Sequence, residues 1–265
     1  MVTETRLPTS SAPKYGFGTG VLLTSVGFIL GTLVMALLTD QGLLYSSGIP
    51  TDEAYLRAEH FYLTLWTSPL AFKALFHVFL LIPIFTLCVK VAKYTEAALY
   101  FDGVCLAFCL LIIGLYTGST IPNIRKIASA PSTTELVSLV NSSASQLGNA
   151  LGTEFDPSSP ISFLNRFLVL LSYPSTILMK ASKVAEAAEA FQETLKADPI
   201  TTEKRKELLS VTAAGHSIAI FLLVGILVLQ LGKVYAENED ARLKAEFALE
   251  EEKKKTAVPL EKKSQ

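Results

Sequence analysis

Four stretches of this chain are long and apolar, and the polar segments between them set the order of everything else. Residues 16–38 run for 23 positions without a charge, enough for about 34 Å of α-helix where a bilayer core needs about 30 Å. A cleaved signal peptide would carry an apolar region of only about 7 to 15 residues, so the run reads as a spanning helix. The second run, residues 73–92, places 16 residues between Lys73 and Lys90, about 24 Å of helix. Both lysines can snorkel to the interfaces and Trp66 can sit with Tyr62 in the aromatic belt, so Trp66, Lys73 and Lys90 are expected to set its depth. Pro83 is expected to kink it. Residues 103–121 and 212–232 supply two further spans. The pattern predicts an all-α integral membrane protein with four transmembrane helices.

The connections divide less cleanly. Residues 1–15 are polar, and 39–72 read as a mixed loop with Gly, Pro, Ser and the acids Asp40, Asp52, Glu53 and Glu59. Residues 122–210 form a long third loop with helical pieces. One covers 133–151, with Leu136, Val140, Leu147 and Leu151 at helical spacing, and another the Ala- and Glu-rich stretch 182–197, stopped by Asp198-Pro199. Between them, 161–179 is interrupted by Asn165, Arg166 and Pro174. We read it as an interfacial or packed helix and not as a fifth span. The tail, 233–265, is densely charged, and Asp240/Lys244, Glu250/Lys254 and Glu251/Lys255 stand four apart in the order that supports a solvated helix.

Composition narrows the function by exclusion. Half of the residues are hydrophobic, 18% are charged and the net charge is -1, which gives no reason to expect a nucleic-acid partner. Mean hydropathy is +0.42, high for a soluble domain of this length. Cys88, Cys105 and Cys109 all fall within apolar runs, against a disulfide framework or a zinc site. His60, His77 and His216 sit on separate elements without a shared spacing, and no H-E-x-x-H, G-x-S-x-G or phosphate loop appears. Acids in mid-span are missing, and Asp102 stands at the edge of the third run, where a charge is cheap, so no proton relay is assigned to it. No catalytic residue, cofactor or metal is expected. Small residues at Gly16, Gly20, Thr24, Gly27 and Gly31 repeat the spacing that lets helix backbones approach in lipid. That face packs either within this protein or against a client helix.

Two clues bear on orientation. The chain ends Lys262-Lys263-Ser264-Gln265, the pattern of a dilysine retrieval signal read in the cytosol. Four spans then place both termini in the cytosol, with 1–15 and 233–265 cytosolic, the membrane domain at 16–232 and the loop 122–210 in the lumen. Asn141-Ser142-Ser143 is the glycan sequon of that loop.

The order of motifs is Glu59-His60-Phe61 and Thr64-x-Trp66-Thr67-x-Pro69, then Lys73 opening a span. Lys90-x-x-Lys93-Tyr94 follows, and Gln230-Leu231-Gly232 closes the last span before a Glu/Lys-rich tail. This resembles the fungal endoplasmic-reticulum membrane chaperones that help amino-acid permeases fold and enter transport vesicles. The resemblance covers about residues 15–127 and 211–255, and the stretch 128–210 is longer than its pattern. It implies a four-span domain that shields the helices of newly inserted permeases, and a cytosolic tail that recruits vesicle-coat (COPII) components. The partners it implies are therefore permeases, coat components and membrane lipid. A four-span scaffold or adaptor without permease specificity is the alternative, although tetraspan families place paired cysteines in an extracellular loop and this chain has none outside its spans.

Overall fold

The computed structural model describes residues 16–92, 98–152 and 200–261. Among these there is no strand, and four helices are long and apolar enough to cross a membrane: Phe17–Leu44, Leu70–Val91, Ala98–Ser129 and Thr202–Glu251. The protein is an all-α integral membrane protein, as the pattern of apolar runs predicts.

Helix α1 (Phe17–Leu44) runs past the uncharged stretch and carries Thr39, Asp40 and Gln41 as part of the helix. The region read as a mixed loop is largely a second helix, α2 (Asp52–Trp66). The Thr51 side chain accepts from the Ala54 N–H at 3.3 Å, and Asp52 and Glu53 occupy the first turn, where acids suit the exposed N–H groups. Pro69 ends it, because proline disfavours the helical conformation of the residue before it. Helix α3 (Leu70–Val91) starts directly after Pro69 and carries Pro83 buried inside it.

The third span is a single rod with two widened turns. Its central α4 (Gly103–Leu115) lies between π-turns at Ala98–Asp102 and Tyr116–Thr120, and α5 (Ile121–Ser129) continues it. The second widened turn sits directly before Pro122, whose ring would meet the Gly118 carbonyl in a regular helix. Helix α6 (Thr134–Gly152) follows. The sequence stretches 161–179 and 182–197 lie outside the described residues. Helix α7 (Thr202–Glu261), capped by Thr201 through the Lys204 N–H at 3.2 Å, carries the last span and the charged tail as one helix of 60 residues. Along the tail Arg242 takes both Glu239 and Glu246, while Asp240 and Lys244 do not pair.

The four spans pack up and down, so that the start of α1 meets the ends of α3 and of the last span. We call this the near end; the far end is where α1 stops. Two cores fill the bundle. One spans the near and middle parts, with Leu22, Val26, Leu87, Cys105, Leu223 and Ile226 buried. The other, at the far end, joins α2, α5, α6 and α7 through Tyr62, Leu63, Ile127, Leu136, Leu209 and Ala213. Large apolar side chains such as Phe85 and Phe221 are 73% and 78% exposed. In a soluble protein that surface would aggregate; in a bilayer it faces lipid.

Candidate functional site

Polar groups buried between the spans are the part of this molecule that composition does not display. At the near end Asp102 is fully buried. Lys233 pairs with its Oδ2, the Gln230 amide donates to Oδ1 at 2.8 Å, and Lys90 stands 4.0 Å away. Lys90 also donates to Thr19 Oγ1 at 2.9 Å and reaches Gln230 Oε1 at 3.4 Å. Thr19, Lys90, Asp102 and the Gln230/Lys233 pair come from the four different spans. The expectation that Asp102 is a cheap edge charge is therefore corrected: it is the centre of a clamp. Lys90, read as an interface residue, is half-buried within that clamp.

At the far end Asp40 is also fully buried, although the sequence placed it in a loop. The Tyr62 hydroxyl donates to Asp40 Oδ1, and His216 Nδ1 lies 3.4 Å from Oδ2 and 3.2 Å from the Tyr62 oxygen. Tyr62 has a single hydroxyl proton and gives it to Asp40, so the imidazole N–H must be the donor toward the other two. Burial first, and then the Asp40 charge, push the Tyr62 phenol far above its usual value, so it remains a donor. Beside this triad, Glu59 is buried, accepts the Ser132 N–H at 2.9 Å and lies 3.7 Å from Arg205 Nε, while Arg205 Nη2 donates to the Ala130 carbonyl. His60, by contrast, is exposed. Asp40 and Asp102 both stand at the ends of the spans and not in mid-span, and both are nevertheless buried.

Between the two cores lies a cavity of about 450 Å³. It is walled mostly by apolar side chains of all four spans and of α2, among them Leu33, Phe76, Leu80 and Ile112. Its polar lining includes His77 and His216, which sequence spacing left unconnected. The His77 Nδ1–H donates to the Lys73 carbonyl at 2.7 Å, so its Nε2 accepts the Tyr116 hydroxyl at 3.1 Å. The π-turn that begins at Tyr116 brings that phenol to the cavity wall. Trp66 and Lys73 line the same cavity near its far end, both half-buried.

The small-residue face of α1 points the other way. A side chain added at Gly16, Gly20, Gly27 or Gly31 would meet nothing within 4 Å, and Thr24 is exposed along the same face. Close approach of helices happens instead at Gly225, where Phe108 would lie 3.0 Å from an added Cβ, and at Gly42, 3.2 Å from Ala54. Asn141 is exposed on α6, and Lys262 and Lys263 lie outside the described residues. Among the described residues no three His, Cys, Asp or Glu side chains gather as a metal site. The buried side chains hold helices together through ion pairs and hydrogen bonds.

Comparison with known proteins gives a family match that agrees with a membrane protein. The family described as ER membrane protein SH3, the SHR3 chaperones, matches residues 14–265. The match runs through 128–210, the stretch whose length set it apart from the resemblance, so the family extends over that stretch as well. No curated protein and no solved structure matches. The chain belongs to the SHR3 chaperone family of endoplasmic-reticulum membrane proteins.

Proposed function

We propose that this member of the family assists the folding of amino-acid permeases in the endoplasmic-reticulum membrane and their packaging into transport vesicles. The observation that carries the reading is the outward face of α1. Gly16, Gly20, Gly27 and Gly31 leave a strip of backbone open to the membrane, where another helix can approach closely. A transient client suits such a strip, because association in lipid depends on close packing and weak contacts and not on a hydrophobic driving force. The four-span bundle supplies a rigid support behind it. The exposed helix beyond Lys233, with Tyr235, Leu243 and Phe247 outward among its charges, would be the part that vesicle-coat components meet. In this arrangement both termini face the cytosol, and Lys262 and Lys263 return escaped copies.

Filling the strip tests the reading. The double variant Gly27→Leu, Gly31→Leu is expected to keep or raise the melting temperature of the purified protein, because an added Cβ meets no neighbour and leucine favours helix. Photo-crosslinking of a permease from a neighbouring site on α1 should fall by about tenfold, and permeases should accumulate in the endoplasmic reticulum while unrelated cargo leaves. Undiminished capture and normal permease delivery would remove α1 as the client face.

A further inference from the structure

The cavity between the two cores is too small for a client helix. A helix that crosses the hydrocarbon core is about 30 Å long, and this cavity closes well short of that. Its length points elsewhere. On the third span its lining runs from Ile112 to Ile124, about 18 Å of rise, which is close to the roughly 15 Å depth of one hydrocarbon leaflet. The polarity is graded along that length. The deep end is closed by Ile29, Leu80, Ile112 and Ala219. The far end carries Trp66, Ser68 and Lys73 at the junction of α2 and α3, where the sequence places the membrane interface.

From this geometry we propose that the cavity holds one acyl chain of a membrane phospholipid, with the phosphate of its headgroup at Lys73 and Ser68. Three observations converge on that occupant. Lys73 is the charged side chain among the lining residues, and a cation at the rim complements a phosphate. Ser68 Oγ is covered and has no hydrogen-bond partner, an unmet demand that a headgroup oxygen satisfies once the hydroxyl changes rotamer. The walls below are those of an apolar slot, in which the hydroxyls of Tyr62 and Tyr116 are already committed to Asp40 and His77. A chain one leaflet deep with its polar group at the interface keeps the orientation it has in the bilayer, so entry needs no inversion of the lipid. The bound chain would join the two cores into one and stiffen the support behind the client face of α1. The assignment rests on the cavity alone and holds whether or not permeases are the clients.

Gly215 provides the test. It lines the cavity, and a Cβ built on it meets nothing within 4 Å, so a larger side chain can leave the backbone there and extend into the slot. The full-length protein would be reconstituted in nanodiscs containing phosphatidylcholine with a photoactivatable acyl chain, and the labelled positions mapped after illumination. Labelling is expected on the inward Leu80 and Ile112 as well as on outward Phe85 and Phe221, which touch bulk lipid. Gly215→Phe should lower the inward labelling about tenfold, as about 1.4 kcal/mol of lost affinity would, and leave the outward labelling unchanged. Lys73→Gln should lower it several-fold and carries the test if the first variant fails to fold. Inward labelling that is absent, or that Gly215→Phe leaves intact, overturns the site. A photoactivatable sterol that labels Leu80 and Ile112 in preference to the phospholipid overturns the assignment of the occupant.

Discussion

At the near end of the bundle Asp102 faces two ammonium groups; at the far end Asp40 faces a phenol and an imidazole. Both carboxylates are completely buried, yet they are answered differently. Among the described residues the near end draws one polar group or more from each of the four spans and carries no helical layer over it, so charge holds the helix ends in register. The far end is roofed by α2, α5 and α6, whose apolar faces form the second core, and there the polar triad sits beneath packing that already fixes the helices. Where hydrophobic burial cannot supply cohesion because lipid is as apolar as the helices, ions and hydrogen bonds do it. Where a soluble-style layer covers the bundle, a lighter polar contact is enough.

The largest effects should follow from unbalancing the near end, and they should be asymmetric. Lys233→Met leaves Asp102 buried with the Gln230 amide and, as its cation, the more distant Lys90, and we expect a loss of about 3 kcal/mol, as for breaking a buried pair. Asp102→Asn leaves two lysines whose stems can snorkel to the interface, and the loss should be about 1 kcal/mol. Denaturation of the purified protein in mixed micelles measures both. Equal losses would show that the clamp works through shape and not through the buried charge of Asp102.

The far end should yield less, and its yield should depend on pH. Tyr62→Phe removes the hydroxyl from a charged acceptor, worth about 2 kcal/mol, while the ring stays packed. The phenol lies on α2, outside the four spans, and its folded-state value is raised from the ordinary 10.0, chiefly by burial. A raised value means that the folded state holds this proton more tightly than the unfolded one. The contribution is thus complete below about pH 10 and declines above it, by up to about 1.4 kcal/mol per pH unit. Melting of the parent protein should steepen against Tyr62→Phe between about pH 10 and pH 11, with lysine titration common to both. Parallel curves would detach Tyr62 from the stability of the far end.

These ends also mark the boundary of what the sequence makes legible. The four apolar runs are visible because lipid demands uninterrupted apolar length, and α1, α3, the third span and α7 follow from it. Helix α2 is hidden because its residues mix acids, His and Thr with apolar positions. The cap Thr51-Asp52-Glu53 was the signal available for it. Asp102 was read as an edge charge because it stands just before its apolar run, and Asp40 as a loop acid because it stands just after one. Nothing local says that Lys233, 131 residues away, or Tyr62 and His216 will close over them. The glycine spacing on α1 is legible as a face, but the sequence leaves open whether it points in or out. The structure turns it outward and places the close helix contacts at Gly225 and Gly42 instead.

The finest test of the two ends uses the glycines of α1 itself. A Cβ at Gly18, near the clamp, would meet Thr86 Cγ2 at 3.7 Å, an ordinary contact, whereas at Gly42 it would meet Ala54 Cβ at 3.2 Å. Replacing a helical glycine by alanine gains up to about 1 kcal/mol from lost unfolded-state freedom and better helix propensity. Gly18→Ala should therefore stabilise by about 0.5 to 1 kcal/mol, since the near end has room at that position. Gly42→Ala should come out close to zero, because α2 must shift by a few tenths of an ångström beneath the roofed far end and that strain offsets the gain. If both variants stabilise equally, the close contact of α1 with α2 is soft, and the far end owes its order to the Asp40 triad more than to its packing.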